Sequence, residues 1–154
     1  MIDVNKKNGD DFEKFVVQKF DKKYFKIKEW AGDKYVNGRY AETTQHPDLL
    51  LEHSYKTETS ELAVECKWRR DFYNEGIVIA SSEQLERYKE FEEDRKIPVF
   101  IALGVGGSAS NPEQLYVVPL RAIKYNFITA TYLEKYQKQI DKNFYFYPDS
   151  QKLM

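Results

Sequence analysis

The chain has 154 residues, with 24 Lys and Arg against 25 Asp and Glu for a formal net charge of -1. That length holds one domain with a proper core and not two of ordinary size, so a single domain over residues 1–154 is expected. A hydrophobic fraction of 42% with 32% charged residues excludes a disordered chain, and the even charge excludes a nonspecific nucleic-acid coat while leaving room for a local basic patch.

The opening "MIDVNKKNGDDFEK" has no apolar stretch of the signal-peptide kind, so a cytoplasmic setting is expected. From Asn8 to Phe20, Phe12, Phe15, Val16 and Phe20 recur at helical spacing, with Asn8 to Asp11 as cap and first turn. Tyr24 to Trp30 alternates as a strand, and "AGDKYVNGRYAETTQ" then reads as a loop or an open hairpin. Asp48 to Glu52 is a second strand, "HSYKTETS" a turn, and Glu61 to Trp68 a third strand. The one cysteine, Cys66, cannot make an internal disulfide, and no Cys/His cluster suggests zinc. Ile77 to Ala80 is a short extended piece. Ser81 or Ser82 caps a helix through Lys96, and Pro98 stops it. Val99 to Val105 is apolar throughout, as a central strand covered on both faces would be, and the whole run from Ile97 to Gly107 is too short for a membrane span of about 20 residues. Leu115 to Pro119 is another strand, Ala130 to Ile140 a helix, and "FYFYP" an edge strand. This order predicts an α/β sandwich, a central mixed sheet flanked by helices.

Within "LAVECKWRR", alternation puts Glu65 and Lys67 on one face of the strand and Val64, Cys66 and Trp68 on the other. Charges on a covered strand are costly unless paired, solvated or bound to something. One economical partner is a divalent cation, and Mg²⁺ takes one or two carboxylates while keeping several waters. If the strand that Pro47 and Asp48 begin pairs antiparallel with the strand of Glu65, its start lies beside the other's end, and Asp48 meets Glu65 and Lys67. Two carboxylates and an ammonium suit metal-assisted phosphoryl chemistry: the carboxylates hold the ion, and the lysine orients or activates the attacking water.

Pro47-Asp48 followed by Glu65-Cys66-Lys67 resembles the PD-(D/E)xK nuclease superfamily. The element order from Asn8 to Val105 is similar to that family's core, the restriction-endonuclease-like three-layer sandwich. The resemblance implies a Mg²⁺-dependent endonuclease hydrolysing DNA phosphodiester bonds, with Mn²⁺ as a substitute ion. Asp48 and Glu65 are the implied metal ligands, and Lys67 the residue assisting water. Many members carry a supporting Glu on the first helix, which Glu13 matches. Several, relatives of the archaeal Holliday-junction resolvases among them, carry a Gln and a Tyr on the helix after the motif; Gln84 and Tyr88 stand one turn apart on one face here. Gln84 would orient the water or phosphate, and Tyr88 would contact nucleic acid. Members with this fold often work as homodimers, and a larger protein partner could supply sequence specificity.

Arg69 and Arg70 continue from the motif strand and are placed to touch DNA phosphates. Lys34 and Arg39, in the Gly-bounded "GDKYVNGRY", would reach a bound duplex. His46 reads as structural or solvated, and "GVGGSAS" as a turn, since it lacks the Gly-Lys-Ser/Thr of a P-loop. The bland alternative for Glu65 and Lys67 is a solvated ion pair. The rival function is a catalytically silent nuclease-fold subunit for nucleic-acid binding or assembly; the even charge favours it, and the Asp48–Glu65–Lys67 trio speaks against it.

Overall fold

The computed structural model describes residues 4–30, 35–36, 39–40 and 46–154, the two short pairs by their backbone alone. Helix α1 (Val4–Val17) begins before the expected Asn8. Asp10 and Asp11 therefore lie inside it, paired with Lys6 and Lys7 one turn earlier at 2.9 and 2.7 Å. These i,i+4 pairs support the first turns where a cap was expected. Phe12 and Val16 are fully buried beneath it.

Strand β1 (Phe25–Trp30) is followed by the short antiparallel pair β2 (Tyr35–Val36) and β3 (Arg39–Tyr40), in the stretch expected to be either a loop or an open hairpin. Strands β4 (Leu49–Tyr55) and β5 (Glu58–Arg69) are both longer than the sequence suggested. Pairing runs out to Tyr55 opposite Glu58, so only Lys56 and Thr57 form the turn. Lys56 takes φ 58° with no Gly or Asn to announce it, and the cross-strand ladder outweighs that local strain.

Then come β6 (Gly76–Val78), α2 (Ser82–Arg95), β7 (Val99–Val105) and β8 (Gln114–Pro119). The last part holds β9 (Phe127–Thr129), α3 (Ala130–Leu133), β10 (Gln137–Lys138), β11 (Phe146–Tyr147) and β12 (Lys152–Leu153). A six-stranded sheet runs β1-β4-β5-β7-β8-β10. β1, β4 and β5 form an antiparallel meander, β7 returns parallel to β5, and β8 and β10 are antiparallel additions. α2 lies in the connection between the two parallel strands, as a parallel return requires.

Both sheet faces are covered. On one, Phe12 and Val16 of α1 pack with Leu49, Leu51, Leu62 and Val64. On the other, Leu85, Tyr88 and Phe91 of α2 pack with Leu50, Ala63, Ile101 and Leu103. This is the expected three-layer α/β sandwich. Gly104 of β7 lies under α1, where an added Cβ would sit 2.5 Å from the Phe12 ring. The β7–β8 turn uses Gly106 and Gly107 at φ 78° and 59°, so these glycines serve a tight turn.

Two expectations fail in the last third. The helix expected from Ala130 to Ile140 is one turn, α3, continued by a 3-10 turn over Glu134–Tyr136 and then by β10. The open edge of β8 decides this, because Gln137 and Lys138 pair with Tyr116 and Leu115 and cannot stay helical. The "FYFYP" segment is not an edge of the main sheet; Phe146 and Tyr147 pair with Leu153 and Lys152 in a separate two-stranded unit. There Phe146 buries its ring against Phe100 and His53. Among the described residues no helix is long and apolar enough to cross a membrane.

Candidate active site

The register of the β4–β5 hairpin brings the motif together. Leu49 pairs with Val64, so Asp48, just before β4, faces Glu65. Two crossed hydrogen bonds lock them: the Asp48 backbone N–H donates to Glu65 Oε1, and the Cys66 N–H donates to Asp48 Oδ2, both at 2.9 Å. Both carboxylates are buried, at 5% and 2% exposure. Burying carboxylates is tolerable only with such donors.

Glu65 and Lys67 stand on the α2 face, while Cys66 and Trp68 pack on the α1 side. Lys67 Nζ lies 3.1 Å from Glu65 Oε2. The Tyr88 hydroxyl donates to the same oxygen at 2.7 Å. The Lys67 ammonium also sits 5.9 Å from the centre of the Tyr88 ring. Burial is the main force pushing the Tyr88 hydroxyl far above its ordinary pKa; the Glu65 charge and hydrogen bond add to it, then Asp48, against a small opposing effect of Arg87. Tyr88 therefore stays protonated and donates to Glu65 at any ordinary pH.

Glu13 is buried on α1 and accepts a 3.1 Å bond from Trp30 Nε1. Trp30 ends β1 opposite Leu49, which sets Glu13 at the same end of the sheet as Asp48. Even so, among the described residues no three His, Cys, Asp or Glu side chains come together as a metal-holding group. The two carboxylates brought together here, Asp48 and Glu65, are the residues that could hold an ion. They are hard oxygen donors of the kind Mg²⁺ takes one or two of while keeping several waters.

No protein-family model matches the sequence, and no curated protein is a significant match. Among solved structures, the chain is similar to Archaeoglobus fulgidus Hjc, a Holliday junction resolvase from an archaeal hyperthermophile. The TM-score is 0.56 at 14% identity, over 84% of this chain and 93% of that one. The chain has the restriction-endonuclease-like fold. At that identity the likeness shows the fold alone, and the residues must be read from this chain's own geometry.

Within this restriction-endonuclease-like fold the remaining predicted residues have diverse placements. Gln84 is the third residue of α2, and its side-chain oxygen accepts from the Ser81 N–H while Ser81 Oγ accepts from the Gln84 N–H. That reciprocal capping box turns the amide back on its own helix. Tyr88 is buried at 5% exposure beneath α2, so its hydroxyl serves Glu65 where the sequence suggested a nucleic-acid contact. Helical spacing places Gln84 and Tyr88 on one face but does not say that this face turns to the sheet.

Arg69 donates from Nε to the Val78 carbonyl and from its terminal nitrogens to the carbonyls of Trp68 and Ile79. Its guanidinium fastens β6 to the end of β5. Burial holds its pKa below the ordinary value, partly offset by Glu65. Arg70 is exposed just past β5. Lys34 and the side chain of Arg39 lie outside the described residues. His46 packs against Phe91 of α2 at 5.1 Å. Trp30 is a partner of Glu13 that sequence reasoning missed; a tryptophan ending the strand beside the motif strand is the one available signal.

Proposed function

We propose that the chain is a metal-dependent nuclease that hydrolyses DNA phosphodiester bonds. The observation that carries this is the convergence of Asp48, Glu65 and Lys67 at one end of the sheet, with Tyr88 bonded to Glu65. The fold it shares with a resolvase supports DNA as the substrate class. Asp48 and Glu65 would hold Mg²⁺, or Mn²⁺ in its place; the ion would polarise the phosphate and lower the pKa of its water. The protein's own groups do the rest. Backbone N–H groups of residues 48 and 66 fix the carboxylate planes. Tyr88 holds Glu65 from below. Lys67, whose side chain is 15% exposed, would meet an incoming phosphate, orient the water and offset charge developing in the transition state.

Gln84 would act on water or phosphate only by leaving its cap, so its proposed part is positioning α2 and with it Tyr88. Glu13 would support the metal through the Trp30 end of the sheet. Arg70, exposed just past the end of β5, would meet the backbone of the bound strand. A homodimer would present two such sites to the two strands of a duplex, and a larger partner would add sequence specificity.

The test is cleavage of supercoiled, linear, single-stranded and branched DNA with Mg²⁺, with Mn²⁺ or with chelator. Metal-dependent cutting that Lys67→Ala abolishes is expected. Cutting that persists in Lys67→Ala at the wild-type rate would refute the assignment.

A further inference from the structure

On the α1 side of the sheet, at the β8–β10 edge, lies a cleft of about 450 Å³. It stands apart from Glu65 and Lys67, which face α2 on the opposite side of the sheet, two strands away. Its lining brings together Arg121, Lys135, Lys138 and Lys152, and among the described residues no Asp or Glu lines it. Four cations gathered in one hollow are unexpected in a chain whose acidic and basic residues nearly balance. Like charges so placed repel one another, and the repulsion is relieved by an anion.

The fold does not dissipate these charges. Arg121 sits 5.9 Å from the Phe100 ring centre and donates to the Gln151 carbonyl at 2.6 Å, a contact that leaves its charge intact. Lys135 lies over the Tyr132 ring at 4.8 Å. Lys138 is half-buried on β10, and burial holds its ammonium below the usual lysine pKa. Lys152 is exposed on β12. The other lining residues include the apolar and aromatic Pro119 and Tyr136 beside the cations. A hollow of this volume, with charged groups on part of its wall and flat apolar groups on the remainder, matches a small organic anion better than a bare ion.

We propose that this cleft is a phosphate-ester site, independent of the proposed metal site, in which the four cations hold phosphate groups and the uncharged part of the ligand lies against Pro119 and Tyr136. A free nucleotide and a strand of nucleic acid offer the same chemistry. The proposal does not rest on nuclease activity, because binding is read directly and without divalent metal.

The experiment is calorimetric titration of the full chain, in chelator, with ATP, with AMP, with inorganic phosphate and with a short DNA duplex. ATP is expected to bind saturably at one site per chain, more tightly than AMP or phosphate, and to weaken as salt rises. Lys138→Gln/Lys152→Gln should lower that affinity about tenfold or more, as loss of two phosphate contacts predicts. Should the half-buried Lys138 prove necessary for folding, the exposed pair Lys135→Glu/Lys152→Glu makes the same test. Asp48→Asn should bind ATP like the wild type. Duplex that displaces ATP would mark the cleft as a strand contact, and ATP bound undisturbed would mark it as a nucleotide site; either supports the phosphate assignment. Absence of saturable binding by all four probes, or ATP binding unchanged in both lysine variants, would overturn it.

Discussion

Tyr88 shows how one hydroxyl can govern a site it never exposes. It is buried, it stays protonated, and its hydrogen bond ends on the oxygen that Lys67 also approaches. Tyr88→Phe keeps the ring and deletes only that donor. Loss of a hydrogen bond to a buried charged group should cost about 1.5–3 kcal/mol of stability. Groups that orient metal ligands are typically worth about 10–100-fold in metal affinity or activity. Denaturant melts and metal titration of Tyr88→Phe should show both losses; unchanged metal affinity would reduce Tyr88 to a packing residue. The carboxylate pair itself is legible in the sequence, because antiparallel pairing forces the start of one strand beside the end of the next. The role of Tyr88 is not. Sequence spacing fixes which residues share a helix face but not which way that face turns.

At the scale of elements, α2 carries Tyr88, and its start is set by the Ser81–Gln84 capping box. Gln84→Glu preserves the box, since Glu serves equally at that position. It should therefore keep both thermal stability and cleavage rate, whereas Gln84→Ala, which deletes the bond to the Ser81 N–H, should lose about 0.5–1.5 kcal/mol of stability. A cleavage defect in Gln84→Glu without loss of stability would return Gln84 to the chemistry. α1 is seated by contact with Gly104, where a methyl group would meet the Phe12 ring at 2.5 Å. Gly104→Ala should then destabilise by about 1–3 kcal/mol, the usual cost of overpacking, measured by urea denaturation. The elements read correctly, from β1 to β8, rest on patterns carried by their own residues. Those misread depend on distant partners. Residues 137 and 138 are strand because β8 offers an edge, and Lys56 turns tightly because a long ladder holds both arms. Neither cause leaves a mark in local composition.

Across the whole molecule, the sandwich buries a histidine that makes stability depend on pH. His53 lies between the rings of Phe25 and Phe146, and burial lowers its pKa from 6.5. Its folded pKa is depressed, so below 6.5 the unfolded chain binds the proton more readily than the folded one. His53 thus adds no penalty above that value, and stability falls as pH drops through it until the folded pKa is passed. Tm should decline between pH 7 and pH 5, and His53→Phe should flatten that part of the profile. A slope unchanged in His53→Phe would assign the acid sensitivity to other groups. The two faces of the sheet also divide the proposed labour, with carboxylates under α2 and the cation-lined cleft on the α1 side.

On the proposed reading, Asp48 and Glu65 hold a divalent ion and Lys67 assists the water that attacks DNA. The measurement that decides it is the Mg²⁺-dependent cleavage rate of the wild type against Asp48→Asn. That change keeps an oxygen able to accept from the Cys66 N–H and removes the charge. Metal-dependent cutting by the wild type, slowed about a hundredfold or more in Asp48→Asn, is the predicted result. Equal rates in the two proteins, or cutting by the wild type that persists in chelator, would contradict it.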